Sequence, residues 1–368
     1  MLLALISTFI SCSKAQIIPA ENNLASISGE VSEEIVKLIY NQAKVFPNGT
    51  ELSIAILKNS VPYFYGIKRE NDTLNTVSNA TSVFEIGSIT KTFTATLLAD
   101  FVINKTVNLD DPIQEYLEVP LKIQEPITLQ QLANHTSGLP RLPSNLSLLK
   151  LTSSNPYKDY DQMLLYEYLS EKIKLDHDPN SKVAYSNLGA GLLGFILAKK
   201  ERSTYNTLLK DKIFDKYNMT NSSTIKKDIE DRLVLGRDKK GKLTSNWDFD
   251  ALAGGGAIKS SVEDMSKYGL AQFDSANVIL KLTRKPTFSV SKNTNIGLGW
   301  FLVEKENNNP LLFHNGGTGG YTSSMVLDTN KKNGVIILSN VSAFSKSMGN
   351  IDNLAFEILK TIPKSKTN

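Results

Sequence analysis

The segments that alternate apolar and polar residues lie at the two ends of this chain, and the stretch between them reads as helix. "ELSIAILKNSVPYFYGIK", Glu51 to Lys68, alternates across a polar pair at Asn59-Ser60 and predicts a β-hairpin. Near the other end, "IGLGWFLVEK", "PLLFHNGG", "TSSMVLDT" and "GVIILSN" read as further strands. Residues 89 to 270 are mostly helical in pattern, broken by loops such as "HTSGLPRLPSN" and "LDHDPNSK". Strands at both ends with helices between them imply one sheet whose halves meet in space, with the middle inserted as a helical subdomain. The expected architecture is α+β: one domain over 25–368, its α/β part about 30–105 and 250–368, its helical part about 106–249. A cleft is expected where the two parts meet. "SEEIVKLIYNQAKVF" reads as an amphipathic helix with a capped start at Ser32 and Glu33, and "SMGNIDNLAFEILKTI" as a final helix.

The 368 residues are 41% hydrophobic and 21% charged, enough for a large core, and length alone does not set the domain count. The net charge of +4 is not gathered into an arm or a stripe interleaved with aromatics, so no nucleic-acid partner is expected. "MLLALISTFIS" is too short to span a bilayer as a helix but has the length of a signal-peptide apolar core. It runs into Cys12 within "FISCSK", which resembles a bacterial lipobox. Residues 1–20 therefore read as leader and tether, with lipidation at Cys12, membrane attachment through it, and export to a bacterial envelope. As the sole cysteine, Cys12 leaves the fold without an intrachain disulfide.

Serine followed three residues later by lysine occurs five times, starting at Ser11, Ser88, Ser147, Ser223 and Ser289. Only Ser88 has context. "SVFEIG" leads into it as a short strand, Gly87 permits a tight turn, and a long apolar run with few charges follows. If a helix begins at Ser88, the hydroxyl sits at the positive end of the dipole, with the Lys91 amine on the same face. A serine hydroxyl needs a base, and a lysine serves as one only when burial brings its pKa well below ~10.4. The structural alternative is a capping serine with a snorkelling lysine.

Two further segments complete a constellation. "VAYSNLGAGLLGFILA" holds Tyr185 and Asn187 just before a glycine-rich apolar helix; the tyrosine could shuttle protons, and the amide could bond Lys91 and a substrate. "LLFHNGGTGGYTSSMVLD" holds His314, Asn315, Gly316 and Gly317, where glycines let a substrate backbone lie against a strand. The Gly317 and Ser88 amides could then form an oxyanion hole. Taken singly, these read as a core tyrosine and a tight glycine hairpin with an exposed histidine.

Ser88-Ile-Thr-Lys91, Tyr185-Ser-Asn187 and His314-Asn-Gly316 stand in the order and rough spacing of the penicillin-recognising serine hydrolases. The Y-x-N element resembles class C β-lactamases and their D-alanyl-D-alanine carboxypeptidase relatives. "VNLDDPIQEYL", "ITLQQLANHTSGLP", "IFDKYNMTNSS", "LAGGGAIKSSVEDMSKY" and "IGLGW" are similar to that family as well. The resemblance spans about Leu52 to Ile351. It implies a β-lactamase/transpeptidase-like fold, in which an antiparallel sheet is flanked by helices and the nucleophile sits at the junction with a helical subdomain. It further implies Ser88 as the acylated residue, Lys91 as its proton partner and Tyr185 as the acid for the leaving group. Asn187 and the 314–317 edge would bind substrate. Class C β-lactamases carry lysine in the third motif, and here it is His314; histidine is mostly neutral near pH 7 and grips a carboxylate less firmly.

The chemistry expected is that of an envelope serine acyl hydrolase acting on D-amino-acid peptides, β-lactams or small esters, without cofactor. The rivals are a carboxylesterase-like member with no peptidase role and a non-catalytic protein that binds peptidoglycan-like peptides. Retention of Ser88, Lys91 and Tyr185 argues for catalysis, because a buried amine costs stability and has little structural use. His135 reads as a loop histidine and His177 as a surface one. No H-E-x-x-H occurs and the histidines are scattered, so no metal site is expected; no G-x-S-x-G marks a nucleophile elbow.

Overall fold

The computed structural model describes residues 19–146, 155–303 and 309–363. The apolar leader with Cys12, and the serine–lysine pairs starting at Ser11 and Ser147, lie outside the described residues.

Twelve strands occur among the described residues: β1 (Glu21–Asn23), β2 (Glu51–Lys58), β3 (Val61–Glu70), β4 (Thr73–Val77), β5 (Val83–Glu85), β6 (Lys259–Ser261), β7 (Phe288–Ser291), β8 (Thr294–Ile296), β9 (Phe301–Val303), β10 (Leu311–Gly317), β11 (Thr322–Asp328) and β12 (Asn333–Ser339). Ten of them form one sheet in the order β1-β4-β3-β2-β12-β11-β10-β9-β8-β7. All its pairs are antiparallel except β1 with β4. The two ends of the chain meet where β2 pairs with β12.

The hairpin between β2 and β3 turns at Asn59 and Ser60, both with positive φ (50° and 66°), as a two-residue turn of matching twist requires. Strands in the middle of the sheet are apolar at nearly every position because both faces are covered. Ile54, Ile56, Val335 and Ile337 point to one core, with helix α1 (Glu33–Ala43) and the C-terminal helix Gly349–Thr361. Ala55, Leu57, Ile336 and Leu338 alternate into the other, larger core, with helix α2 (Thr90–Ile103). Helix α1 starts at Ser32, whose hydroxyl accepts the Ile35 amide, and buries Ile35, Val36, Ile39 and Ala43. Burying the larger of those side chains contributes about 1.5–3 kcal/mol each.

"SVFEIG" does not join the large sheet. Its β5 pairs with β6 in a separate two-stranded sheet that holds the start of α2. "IGLGWFLVEK" is not one strand: β8 ends at Ile296, a turn follows, and β9 starts at Phe301. The cause is Gly299, which has φ +70° and whose added Cβ would lie 2.7 Å from the Lys91 carbonyl oxygen, so the chain leaves the sheet to press against α2.

Helix α2 is buried on every side. Its threonines, poor helix formers, are held by their surroundings. The Thr94 hydroxyl lies 2.7 Å from the Tyr205 hydroxyl and donates to the Gly254 carbonyl at 2.8 Å, while Thr96 lies 2.9 Å from the Tyr268 hydroxyl. Among the described residues no helix is long and apolar enough to cross a membrane.

Candidate active site

Ser88 sits in a 3-10 turn, Gly87–Ile89, that feeds directly into α2. Gly87 turns the chain with φ +49°. A Cβ on Gly87 would lie 2.5 Å from the Gly317 nitrogen, and one on Gly316 would lie 2.0 Å from the Ile86 oxygen. These glycines let β10 and the Ser88 turn touch backbone to backbone, an approach no side chain would allow. The Ser323 hydroxyl, donating to the Ile86 carbonyl at 2.8 Å, ties the turn to β11 as well.

Lys91 lies one turn along, 2% exposed, while Ser88 is half-buried and open to the cleft. The Lys91 Nζ is 3.0 Å from the Ser88 Oγ and donates to the Gly255 carbonyl at 2.6 Å. Burial pushes this amine well below the ordinary lysine range, and the Arg141 charge adds to the effect. Charged and neutral lysine differ here as ordinary lysines do not: the site disfavours the ammonium.

Tyr185 is delivered by a loop fastened on both sides. The Ala184 amide donates to the His135 carbonyl at 2.8 Å, and the Ser186 hydroxyl caps the helix Asn187–Lys200 through the Gly189 amide. The Ser186 amide in turn donates to His135 Nδ1. The Tyr185 ring centroid lies 4.8 Å from the Lys91 Nζ, 4.4 Å from the His135 ring and 5.1 Å from the Arg141 guanidinium carbon. Burial raises its phenol pKa, with the Ser88 hydroxyl and the Arg141 charge pulling the other way, so the resting side chain is a neutral phenol rather than a phenolate. Asn187 does not reach Lys91: its Nδ2 is 3.5 Å from the Tyr157 hydroxyl, and its Oδ1 is buried without a partner. A buried acceptor of that kind is costly unless something fills it.

The third segment differs most from expectation. Strand β9 covers β10 only at Leu311, Leu312 and Phe313, so from His314 to Gly317 that edge is open, where the cleft lies. Asn315, Gly316 and Gly317 line the cleft. His314 is not exposed and not among the lining residues; at 1% exposure it packs behind the wall, 6.3 Å from the Tyr185 ring and 5.7 Å from Phe301. Burial, with Lys91 nearby, drives its pKa down to about 3, so it is a neutral ring. The Asn315 amide is already used, donating to Asp352 on the C-terminal helix at 2.6 Å.

The cleft encloses about 640 Å³ between the sheet edge and the helical segment. One wall is aromatic. Tyr157 stacks on Phe249 with centroids 4.5 Å apart and meets Trp247 at 5.3 Å; Phe344, 61% exposed, lies 6.5 Å beyond. Sequence reading points to loops 138–160 and 235–250 for pocket selectivity but singles out neither these aromatics nor Arg141, the guanidinium at the mouth, which lies within the quoted "HTSGLPRLPSN".

The β-lactamase family profile matches residues 50–359. The D-alanyl-D-alanine-carboxypeptidase/endopeptidase AmpH of Escherichia coli K12 is 27% identical over 303 residues, covering 75% of this chain and 76% of its own. Penicillin-binding protein 4* of Bacillus subtilis is 25% identical over 284 residues, covering 70% of this chain and 61% of its own. The crystal structure of a β-lactamase/D-alanine carboxypeptidase from Pseudomonas syringae superposes with a TM-score of 0.74 at 22% identity, over 90% of this chain and 99% of that one. The chain belongs to the β-lactamase family and is a serine hydrolase of it.

Proposed function

We propose that Ser88 is the acylated nucleophile, Lys91 its base and Tyr185 the acid for the leaving group. The observation that carries the reading is the Lys91 Nζ, buried and 3.0 Å from the Ser88 Oγ. A neutral amine there donates one N–H to the Gly255 carbonyl and keeps its lone pair for the serine proton. As the Ser88 oxygen bonds the acyl carbon, its proton passes to Lys91. The bond to the leaving nitrogen or oxygen breaks, Tyr185 gives that atom its phenolic proton, and Lys91 returns a proton to Tyr185. Water then attacks the acyl-enzyme with the same pair taking its proton, releasing the acid and restoring the serine. The amides of Ser88 and Gly317 hold the acyl oxygen, and the free Asn187 Oδ1 accepts a substrate N–H. The open edge from His314 to Gly317 takes the substrate backbone as an added strand, through its main chain rather than through His314 or Asn315.

The substrate class is an amide or ester: a D-amino-acid peptide, a β-lactam or a small ester. A carboxylesterase-like role is favoured by one observation, the buried neutral His314 where class C β-lactamases have lysine. We read residues 106–249 as the helical wall of the cleft and residues of about 30–105 and 250–368 as its sheet wall. Residues 1–20 are read as a leader and tether lipidated at Cys12, placing the enzyme at a bacterial envelope. Exposure to a fluorescent penicillin separates the substrate readings: a lasting Ser88 adduct supports a carboxypeptidase-like enzyme, rapid turnover a β-lactamase. A protein that hydrolyses activated esters but ignores penicillin would support the esterase, and one inert to both would overturn the catalytic reading.

A further inference from the structure

The carbonyl that accepts one Lys91 N–H belongs to Gly255, in a 3-10 turn, Ala253–Gly255, that runs on into Gly256. Glycine backbone does not hold its own conformation, so the direction of that carbonyl is set by whatever clamps the turn. Helix Asn187–Lys200 presses on it from one side. A Cβ added to Gly194 would lie 2.8 Å from the Gly254 Cα, and one added to Gly254 would lie 2.6 Å from the Ala190 oxygen. From α2 the clamp is Thr94, one turn beyond Lys91. Its hydroxyl could bond its own helix at the Thr90 carbonyl, 3.3 Å away, but lies nearer the Gly254 carbonyl, at 2.8 Å. With its one proton used there, Thr94 accepts the phenolic O–H of Tyr205 at 2.7 Å, and Tyr205 opens the helix Tyr205–Leu209. Both residues are buried, and chained hydrogen bonds strengthen one another in a dry interior.

A second threonine–tyrosine pair on α2 supplies the contrast. Thr96 donates to the Thr92 carbonyl at 2.9 Å, and the Tyr268 hydroxyl lies 2.9 Å from Thr96 and 3.2 Å from that same carbonyl. This pair is as buried as the first, but its hydroxyls bond α2 itself rather than the glycine turn. We propose that Thr94, braced by Tyr205, is a positioning residue for acyl transfer: it fixes the Gly255 carbonyl on Lys91 and thereby aims the amine lone pair at Ser88. The inference rests on the reading of Ser88 and Lys91 given above. A displaced Gly255 carbonyl lets the amine swing away from its 3.0 Å approach to the Ser88 Oγ, which slows proton transfer without altering what the cleft binds.

The test measures labelling of Ser88 by a fluorophosphonate in the full-length enzyme, separated into kinact for the chemical step and KI for binding. Thr94→Val keeps the shape and loses the hydroxyl, so kinact should fall about 10- to 100-fold with KI little changed. Thr94→Ser should recover most of that loss. Tyr205→Phe should lower kinact about 3- to 10-fold by withdrawing the brace. Thr96→Val and Tyr268→Phe should lower Tm as their counterparts do, yet leave kinact close to wild type. Equal kinact losses in the two threonine-to-valine variants, a Thr94→Val enzyme as fast as wild type, or a Thr94→Ser enzyme as slow as Thr94→Val would each overturn the inference while leaving acyl transfer standing. If Thr94→Val does not fold, a Tyr205→Phe loss no greater than that of Tyr268→Phe overturns it in the same way. Wild type unlabelled at Ser88 would overturn acyl transfer and this inference with it.

Discussion

Glu85 and Lys259 face each other across the β5–β6 pair, both buried, and hold the two ends of one residue: the Glu85 carboxylate accepts the Trp247 amide at 2.7 Å, and the Lys259 ammonium donates to the Trp247 carbonyl at 3.1 Å. The strand that leads into Ser88 is thereby coupled to the aromatic wall of the cleft. Glu85→Gln removes the carboxylate that faces the buried Lys259 and should lower stability, seen as a lowered Tm. The double variant Glu85→Gln/Lys259→Met should be more stable than Glu85→Gln alone. A Glu85→Gln protein as stable as wild type would show that the pair carries no such coupling.

Lys91 should be a residue that stability would do better without. Lys91→Met removes a buried amine and keeps the apolar stem, so Tm should hold or rise while acylation falls by about 10³-fold or more. The sign follows from its depressed pKa: between that value and ~10.4 the unfolded chain binds more protons than the folded one. Stability in wild type should therefore rise with pH across this window, and the rise should be missing in Lys91→Met. Acylation should likewise speed up as pH climbs through the lowered Lys91 pKa. Thermal melts and acylation rates across a pH series check both.

Gly316→Ala puts a methyl where the Ile86 oxygen would stand 2.0 Å away and the Ser88 nitrogen 2.9 Å. Backbone must move, and it moves the Ser88 turn away from β10. A loss of acylation of at least about 10²-fold is expected, together with a lower Tm, because misplacing the reacting groups by 1 Å is that costly. Crystal structures of the variant would show the separation directly; an active variant with an undisplaced turn would refute the close-contact account.

Burial depresses the pKa of His314 to about 3 and of His135 well below its ordinary value. Below pH ~6.5 the unfolded chain takes up these protons first, so this share of stability is complete above ~6.5 and is lost as pH falls from there, for His314 toward about 3. In the folded protein the His314 ring should not titrate between pH 5 and 8, and the His135 ring should titrate well below its ordinary value, which proton NMR of the ring hydrogens can follow. His314→Gln should leave no missing limb in the pH–rate profile over that range; a limb near 6.5 that vanishes in the variant would make His314 a working base.

What the sequence made legible was whatever is local. The hairpin at Asn59-Ser60, the Ser32-capped helix and the closing helix, found at Gly349–Thr361, follow from period and turn chemistry within a few residues. The serine–lysine step was legible too, since helix geometry alone puts i and i+3 together. What depends on distant chain was hidden. That β10 presses on the Ser88 turn, that Gly255 supplies the lysine's carbonyl, and that Asp352 occupies Asn315 each require the finished sheet. His314 was expected toward the substrate because His314-Asn-Gly316 resembles the family's third motif; packing beside Phe301 and Tyr185 put it inside instead.

The central claim is that a buried lysine makes Ser88 a nucleophile. A fluorophosphonate probe, intact-mass spectrometry and peptide mapping, applied to a protein starting after residue 20, read this most directly. The account requires one adduct, mapped to Ser88, absent in Ser88→Ala and strongly slowed in Lys91→Met. A folded wild type that takes no adduct, or takes it at another residue, would contradict it.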